Sequence, residues 1–440
     1  MQMFTCALLG YGTVGTGVYR LLVEKRHEIQ RRIGVDVGIK WVFDRGFRRT
    51  REFPLPEGVM TRDPEVIFND PDVDCVIELI GGLEPAKSYI LKAIRAKKHV
   101  VTANKAVLSH SGPEIWASAY ENLVAIGFEA SVGGGIPVIK TVRESLVAND
   151  VSSIVGIMNG TSNYILSKMT KEGSEYAHTL EDAQRLGYAE ADPTFDVEGF
   201  DAAHKLTILA MLTFGQPFSS EDVYTEGITR ITPLDIEFAR EFGYRIKLLA
   251  IGDKGPQGVM LRVHPTMVPE THLLAQVDGA YNAFYFVGDE VGKLILFGMG
   301  AGQGPTASAV VADIVDIARM TKERATTSMP FVPNFTLDES ATTIPKIPVT
   351  SLVSRYYFRI SALDRPGVLA KIGGVLGEHD ISIESVVQKG RGKKDAVPIV
   401  MLTHEALEQN VRSALSIIDS LEITMDKTVV IRLADLSNVG

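Results

Sequence analysis

Two hydrophobic periods alternate along this chain of 440 residues, and where they switch predicts most of its elements. Short apolar runs closed by glycine or a polar turn predict buried parallel strands at 4–9, 35–43, 74–80, 99–102 and 123–129. An amphipathic segment from Val14 to Ile29 follows the first of them, predicting one long helix. Strand and helix in turn point to a doubly wound α/β domain over residues 1–130. From Ile139 to about Phe297 the pattern changes. Helical stretches, among them the apolar run Leu206–Phe214, alternate with strand-like runs at 154–158, 247–251, 259–263 and 282–287. That mixture predicts an α+β domain with a mixed sheet, bounded at 131–302.

An apolar helix from Ala307 to Ala318 follows a glycine-rich turn. It reads either as chain returning to complete the first domain (303–320) or as part of an interdomain hinge. Residues 321–352 carry Ser, Thr, Pro and Lys without sustained periodicity and read as a linker. The last stretch, 353–440, then shows strand, turn, helix, strand, strand, helix, strand. That order, βαββαβ, is ferredoxin-like.

Composition narrows the function classes. With 45% hydrophobic and 22% charged residues the chain reads as an ordinary globular protein. Its net charge of −9 is spread along the sequence without a basic face, which counts against nucleic acid and anionic membranes as partners. No run approaches the ~20 apolar residues of a spanning helix. The run Phe4–Leu9 is too short for a signal h-region, so a cytoplasmic location is expected. Cys6 and Cys75 are the only cysteines, each inside an apolar run, with neither metal-ligand spacing nor a redox pair.

Candidate chemistry begins at Gly10-Tyr-Gly12-Thr-Val-Gly15, a G-x-G-x-x-G pattern between a strand and a helix. Such glycines permit a tight turn, close approach of a pyrophosphate and helix-on-sheet packing, with the helix N-terminus facing the phosphates. Asp44 ends the second strand, where a carboxylate holds ribose hydroxyls, but Arg45 beside it could take a 2′-phosphate. NAD and NADP both remain open. Glu78, Gly81, Thr102, Asn104 and Lys105 fall at the carboxyl ends of later strands, the ligand side of such sheets. The glycine run 133–135 is either a hinge or a place where backbone approaches something closely. Asn159-Gly-Thr161 looks like a helix start. The stretch from Glu190 to Lys205 is the richest. It packs five carboxylates, among them Asp196 and Asp201, ahead of Lys205, and Asp201 and Lys205 share a helix face. Taken alone, that pair is an ordinary helix ion pair.

Together, Leu9–Gly15, Thr102-Ala-Asn-Lys-Ala106, Asn159-Gly-Thr-Ser-Asn-Tyr164, the 190–205 stretch, Gly300-Ala-Gly-Gln-Gly-Pro-Thr306 and Asp364-Arg-Pro-Gly-Val368 resemble the homoserine dehydrogenase family, in the form with a C-terminal ACT domain. The resemblance implies reversible reduction of L-aspartate 4-semialdehyde to L-homoserine with NAD or NADP, in threonine, methionine and isoleucine biosynthesis. It implies Lys205 as proton donor, with Lys105 also at the reaction centre, and substrate contacts from Glu190, Asp196, Asp201, Asn159, Gly160 and Thr161. Cofactor contacts are implied for Gly10, Gly12, Thr13, Val14, Gly15, Asp44, Arg45, Gly81, Thr102, Lys105, Gly187, Glu190 and Gly302. A monovalent cation, Na+ or K+, is implied at Glu129, Val132, Gly134 and Ile136. A threonine effector at the ACT domain and a homo-oligomer are further expectations. The chain departs from the family at Phe43, where many members carry arginine, which weakens an assignment of NADP. Two rival readings remain: another nicotinamide-dependent amino-acid dehydrogenase, and a non-catalytic amino-acid sensor.

Overall fold

The computed structural model describes residues 3–46, 53–322, 343–388 and 396–434. Most of the expected linker (323–342) and the last six residues of the C-terminal domain therefore lie outside the described residues. The chain divides into two compact units, one drawn from 1–151, 204–222 and 282–344, the other from 152–203, 223–281 and 345–440.

In the first unit six parallel strands stand in the order Met60–Thr61, Asp36–Phe43, Met3–Leu9, Cys75–Glu78, His99–Thr102, Ile126–Gly127. Val76, Ile77, Val100 and Val101 are fully buried, as strands covered on both faces require. The order reverses beside Met3–Leu9, so the Gly10 turn and residues 79–82 open at the switch point, where doubly wound sheets bind ligands. Helix Gln303–Lys322 lies against helix Thr13–Glu24. Ala307, Val310, Ile314 and Ile317 join Val18, Tyr19 and Leu22 in one core. Gly17 permits the approach, because a Cβ there would lie 2.8 Å from the Gln303 side chain.

Three expectations need correction here. The single helix over Val14–Ile29 is two, Thr13–Glu24 and Arg26–Ile33, broken at Lys25. The first buries Gly15, Val18, Tyr19 and Leu22, whereas the second buries no residue, so packing does not hold the two in line. The strand expected over 123–129 shrinks to Ile126–Gly127, because Glu129–Ser131 turns into a 3-10 helix. Among the described residues four strands escaped the pattern: Met60–Thr61, Val223–Thr225 and Ala406–Leu407 are too short to show a period, and Gly292–Met299 is half-buried or exposed throughout.

The second unit is built on a long hairpin, Tyr244–Gly255 paired with Gly258–Pro269 through twelve residue pairs. Strand Gly258–Pro269 then pairs in parallel with Val429–Leu433, through Thr266 to Arg432 and Met267 to Leu433. Beyond it the sheet continues through Val353–Leu363, Ala396–Thr403 and Ile383–Gln388. Helices Val368–Glu378 and Glu408–Ser420 pack on it around Tyr356, Phe358, Ile372, Leu376, Val411 and Ile418, completing the βαββαβ order. The ferredoxin-like part thus extends the sheet of the hairpin, which periodicity cannot reveal. Ion pairs reinforce the seam: Arg359 meets the fully buried Asp235 at 2.7 Å, and Tyr357 donates to the same carboxylate at 2.9 Å.

Candidate active site

The glycine turn meets the demands of a phosphate cradle, each glycine for its own reason. Gly10 has φ +101°, and a Cβ there would stand 2.7 Å from the Leu79 carbonyl oxygen. At Gly15 a Cβ would stand 2.2 Å from the Gly10 oxygen. Gly12 differs, because nothing lies within 4 Å of where its Cβ would be. Its open face is room for a ligand, not a packing constraint. Helix Thr13–Glu24 starts there without a side-chain cap, so its first N–H groups are left for an anion. Thr13 is exposed and Val14 half-buried at that end.

Asp44 follows strand Asp36–Phe43 directly. One carboxylate oxygen accepts from the Tyr11 N–H at 2.7 Å and the other from the Gly46 N–H at 2.5 Å, while Arg45 is exposed. Across the crevice Glu78 is fully buried and accepts from Thr102 Oγ1 at 2.7 Å and from the Ile80 N–H at 2.8 Å. Burial raises its pKa, and those bonds oppose the rise. Thr102 is thereby committed, since its oxygen also accepts from the Asn104 N–H at 3.0 Å. Asn104 caps helix Lys105–Asn122, which sets Lys105 at the first turn on the ligand side of the sheet. Gly81 (φ +80°) and Gly302 (φ +117°) are both exposed, the latter directly ahead of helix Gln303–Lys322.

The glycine run 133–135 is a place of close approach. A Cβ on Gly134 would lie 2.6 Å from the Gly300 carbonyl, and the Gly135 N–H donates to the Met299 oxygen at 3.2 Å. Glu129, Val132, Gly134 and Ile136 are all buried around it. The Glu129 carboxylate accepts from the N–H groups of Ile139 and Lys140, each at 2.8 Å. Each oxygen keeps a second lone pair. Among the described residues no cluster of three or more His, Cys, Asp or Glu side chains could hold a metal, so any cation here would rely on backbone carbonyls.

In the second unit the acidic stretch gathers round one asparagine. Asn159 caps helix Gly160–Glu172 by accepting from the Ser162 N–H at 2.8 Å. Its Nδ2 donates to Asp196 Oδ1 at 2.7 Å and to Asp201 Oδ2 at 2.9 Å. Thr161 Oγ1 lies 3.2 Å from Asp196 Oδ2 and 2.6 Å from the Tyr188 carbonyl. The structure therefore unites Asn159, Gly160, Thr161, Asp196 and Asp201 at one helix N-terminus. Helix Phe200–Phe214 carries both Asp201 and Lys205, 3% and 8% exposed. Glu190 and Gly187 (φ +77°) sit on the adjoining exposed loop, and among the described residues no hydrogen bond ties the Glu190 carboxylate to the cluster.

Sequence reasoning missed the supports. Ser162 donates to the Asp196 carbonyl at 3.0 Å. Asn163 Nδ2 donates to the carbonyls of Val277, Gly279 and Tyr281. Buried Lys247 donates to Asn163 Oδ1 at 3.2 Å and to the Val277 carbonyl at 2.5 Å. Burial brings its pKa down to about 8, against the opposing charge of Asp278. A lone lysine inside the apolar run 246–251 was the available signal.

Comparison with known proteins matches three stretches of the chain. Residues 10–129 match the model described as homoserine dehydrogenase, NAD binding domain; 137–315 match homoserine dehydrogenase; 356–423 match the ACT domain. The homoserine dehydrogenase of Neisseria gonorrhoeae is 44% identical over 99% of this chain and 100% of its own length. A crystal structure of a homoserine dehydrogenase from Thiobacillus denitrificans is similar with TM-score 0.91 and 45% identity, over 99% of this chain and all of that one. A hyperthermophilic archaeal homoserine dehydrogenase in complex with NADPH is similar over 72% of this chain and 97% of its own, with TM-score 0.61 and 26% identity.

Proposed function

The chain belongs to the homoserine dehydrogenase family, and from that premise we propose how its residues divide the reaction between them. The protein is an oxidoreductase that interconverts L-aspartate 4-semialdehyde and L-homoserine with NAD or NADP, in amino-acid biosynthesis. The nicotinamide, when bound, supplies or accepts the hydride. The protein must then manage a charged amino acid and one proton.

Reduction leaves negative charge on the former aldehyde oxygen, so a placed acid has to deliver a proton there. We assign that task to Lys205, which takes the proton back in the reverse direction. The observation that carries the assignment is its place on a buried helix, one turn beyond Asp201, which Asn159 ties to Asp196. Asp196, with Glu190 from the loop, holds the substrate ammonium. The N–H groups at Gly160 and Thr161 face its carboxylate from a helix start. Lys105, at the carboxyl end of strand His99–Thr102, is the second cation of the reaction centre, a role supported by its position on the ligand side of the sheet.

For the cofactor, residues 1–130 with helix 303–320 form the binding domain, while 131–302 form the catalytic domain and 353–440 the ACT domain. The fixed carboxylate of Asp44 favours a free ribose diol and would repel a 2′-phosphate, so NAD is preferred. Glu129 and the carbonyls of Val132, Gly134 and Ile136 offer oxygen ligands suited to Na+ or K+. Threonine acts as an effector through the ACT domain, and the protein works as a homo-oligomer. The test of the chemical assignment is steady-state homoserine oxidation by Lys205→Ala with either nucleotide. A loss confined to kcat/KM through a raised KM would move Lys205 from proton transfer to substrate binding.

A further inference from the structure

Glu78 and Thr102 stand opposite each other at the ends of neighbouring parallel strands, Cys75–Glu78 and His99–Thr102, and both are fully buried. Just beyond Glu78 the chain turns through two successive left-handed glycines, Gly81 (φ +80°) and Gly82 (φ +72°). Glycine has the most backbone freedom to lose, so such a turn keeps one shape only where something fixes it. One side of the turn packs on the phosphate cradle, since a Cβ on Gly10 would stand 2.7 Å from the Leu79 oxygen. The other side is open: nothing lies within 4 Å of where a Cβ of Gly81 or Gly82 would be.

The Glu78 carboxylate fixes the turn from inside. Oε1 accepts from the Ile80 N–H at 2.8 Å and from the Gly81 N–H at 3.3 Å, while Oε2 accepts from Thr102 Oγ1 at 2.7 Å. Thr102 Oγ1 accepts in turn from the Asn104 N–H at 3.0 Å, and Asn104 Nδ2 donates back to the Gly82 carbonyl at 2.8 Å. These bonds close a ring that runs from the turn through Glu78, Thr102 and Asn104 to the turn again. Asn104 also caps helix Lys105–Asn122, accepting from the Val107 N–H at 3.2 Å, so the ring sets where Lys105 begins its helix. The Ile80, Gly81 and Thr102 groups aimed at Glu78 are all donors, which suits a carboxylate because both its oxygens accept. The Thr102 hydroxyl has a single hydrogen, and Glu78 takes it.

We propose that Glu78 and Thr102 are a pair of positioning residues that hold the 80–82 turn and the start of helix Lys105–Asn122 in one arrangement, and so place Lys105 for the reaction. The pair acts through Asn104 and touches neither substrate nor nucleotide. The proposal rests on the reading that Lys105 belongs to the reaction centre. A misplacement of about 1 Å can cost about 100-fold in rate, so a buried ring governs turnover without contact with the reacting atoms.

The test is steady-state homoserine oxidation by the full-length protein, with kcat and the nucleotide KM read separately. Thr102→Val keeps the volume but removes the hydroxyl, whereas Thr102→Ser keeps the hydroxyl and leaves a gap. Thr102→Val should lower kcat about 10- to 100-fold, and Thr102→Ser should stay within about threefold of wild type. A position that serves packing alone would show the reverse order. Glu78→Gln, which turns a donor towards Thr102, should match Thr102→Val, and the double variant should be no worse than either, because both cut the same ring. Should Glu78→Gln fail to fold, the two Thr102 variants decide. Lys105→Met, measured alongside, should lose about 100-fold or more in kcat. If Lys105→Met loses that activity while Thr102→Val keeps its kcat, the positioning role is overturned and Lys105 keeps its place. A raised nucleotide KM with kcat retained in Thr102→Val would make Thr102 a cofactor contact and overturn the role as well. If Lys105→Met turns over as wild type, the reading of Lys105 falls and takes the positioning role with it.

Discussion

The proposed mechanism gives Lys205 and Asp196 separate duties, and single substitutions should separate them. Asp196→Asn keeps shape but removes the charge that meets the substrate ammonium. A charge-assisted hydrogen bond contributes about 1.5–3 kcal/mol, so kcat/KM for homoserine should fall about 10- to 100-fold with nucleotide affinity unchanged. Equal kcat/KM values for Asp196→Asn and wild type would remove Asp196 from the substrate site. Asp44 makes a second claim: kcat/KM with NAD should exceed that with NADP, and Asp44→Ser should narrow the ratio. Lys247 is a third case. Its pKa is about 8 in the folded protein and about 10.5 unfolded, so between those values the unfolded chain binds more protons. Folding stability contributed by Lys247 therefore rises as pH climbs from about 8 to about 10.5. The stability difference between wild type and Lys247→Met, read from denaturant melts, should move in favour of wild type across that window. Spacing placed Asp201 and Lys205 on one helix face but read as an ordinary ion pair, and only the family resemblance singled out Lys205, Asp196 and Asp201 for the site. Neither could show Asn159 binding both aspartates, since those partners come from 37 and 42 residues away.

At the level of elements, the glycine turn and the extended sheet make opposite kinds of claim. Gly12 faces open space, so Gly12→Val should leave the melting temperature unchanged and weaken nucleotide binding tenfold or more in a fluorescence titration. Gly15→Ala should instead destabilise by about 1–3 kcal/mol, because its Cβ collides with the Gly10 carbonyl. Reversal of that pattern would mean that Gly12 is a packing glycine. In the sheet, Asp235 is fully buried against Arg359 and Tyr357. Asp235→Ala strands a guanidinium and should cost about 3–5 kcal/mol by denaturant unfolding. Strands such as Cys75–Glu78 were legible because both their faces are apolar. The shortened strand at Ile126–Gly127 was not: Gly127 lies against Asp313 of a helix nearly two hundred residues on, and a Cβ there would lie 2.6 Å from that side chain. Within the longer sheet the hairpin joins the C-terminal strands through two residue pairs, Thr266 with Arg432 and Met267 with Leu433, and no local period records them.

For the molecule as a whole, the sequence disclosed the kinds of domain but not their grouping. The βαββαβ order was readable from turns and periods, yet the ACT strands fall in the same compact unit as Asn159, Asp196 and Asp201. The glycine turn at 10–15 and Asp44 fall in the other unit. Among the described residues no helix is long and apolar enough to cross a membrane. The proposed mechanism turns on one proton, assigned to Lys205. The direct test is the kcat of homoserine oxidation by Lys205→Ala at saturating substrate and nucleotide, with nucleotide binding measured on the same preparation. A fall of about 10²–10⁴-fold with nucleotide affinity retained is the predicted result; a kcat within a few-fold of wild type would contradict the mechanism.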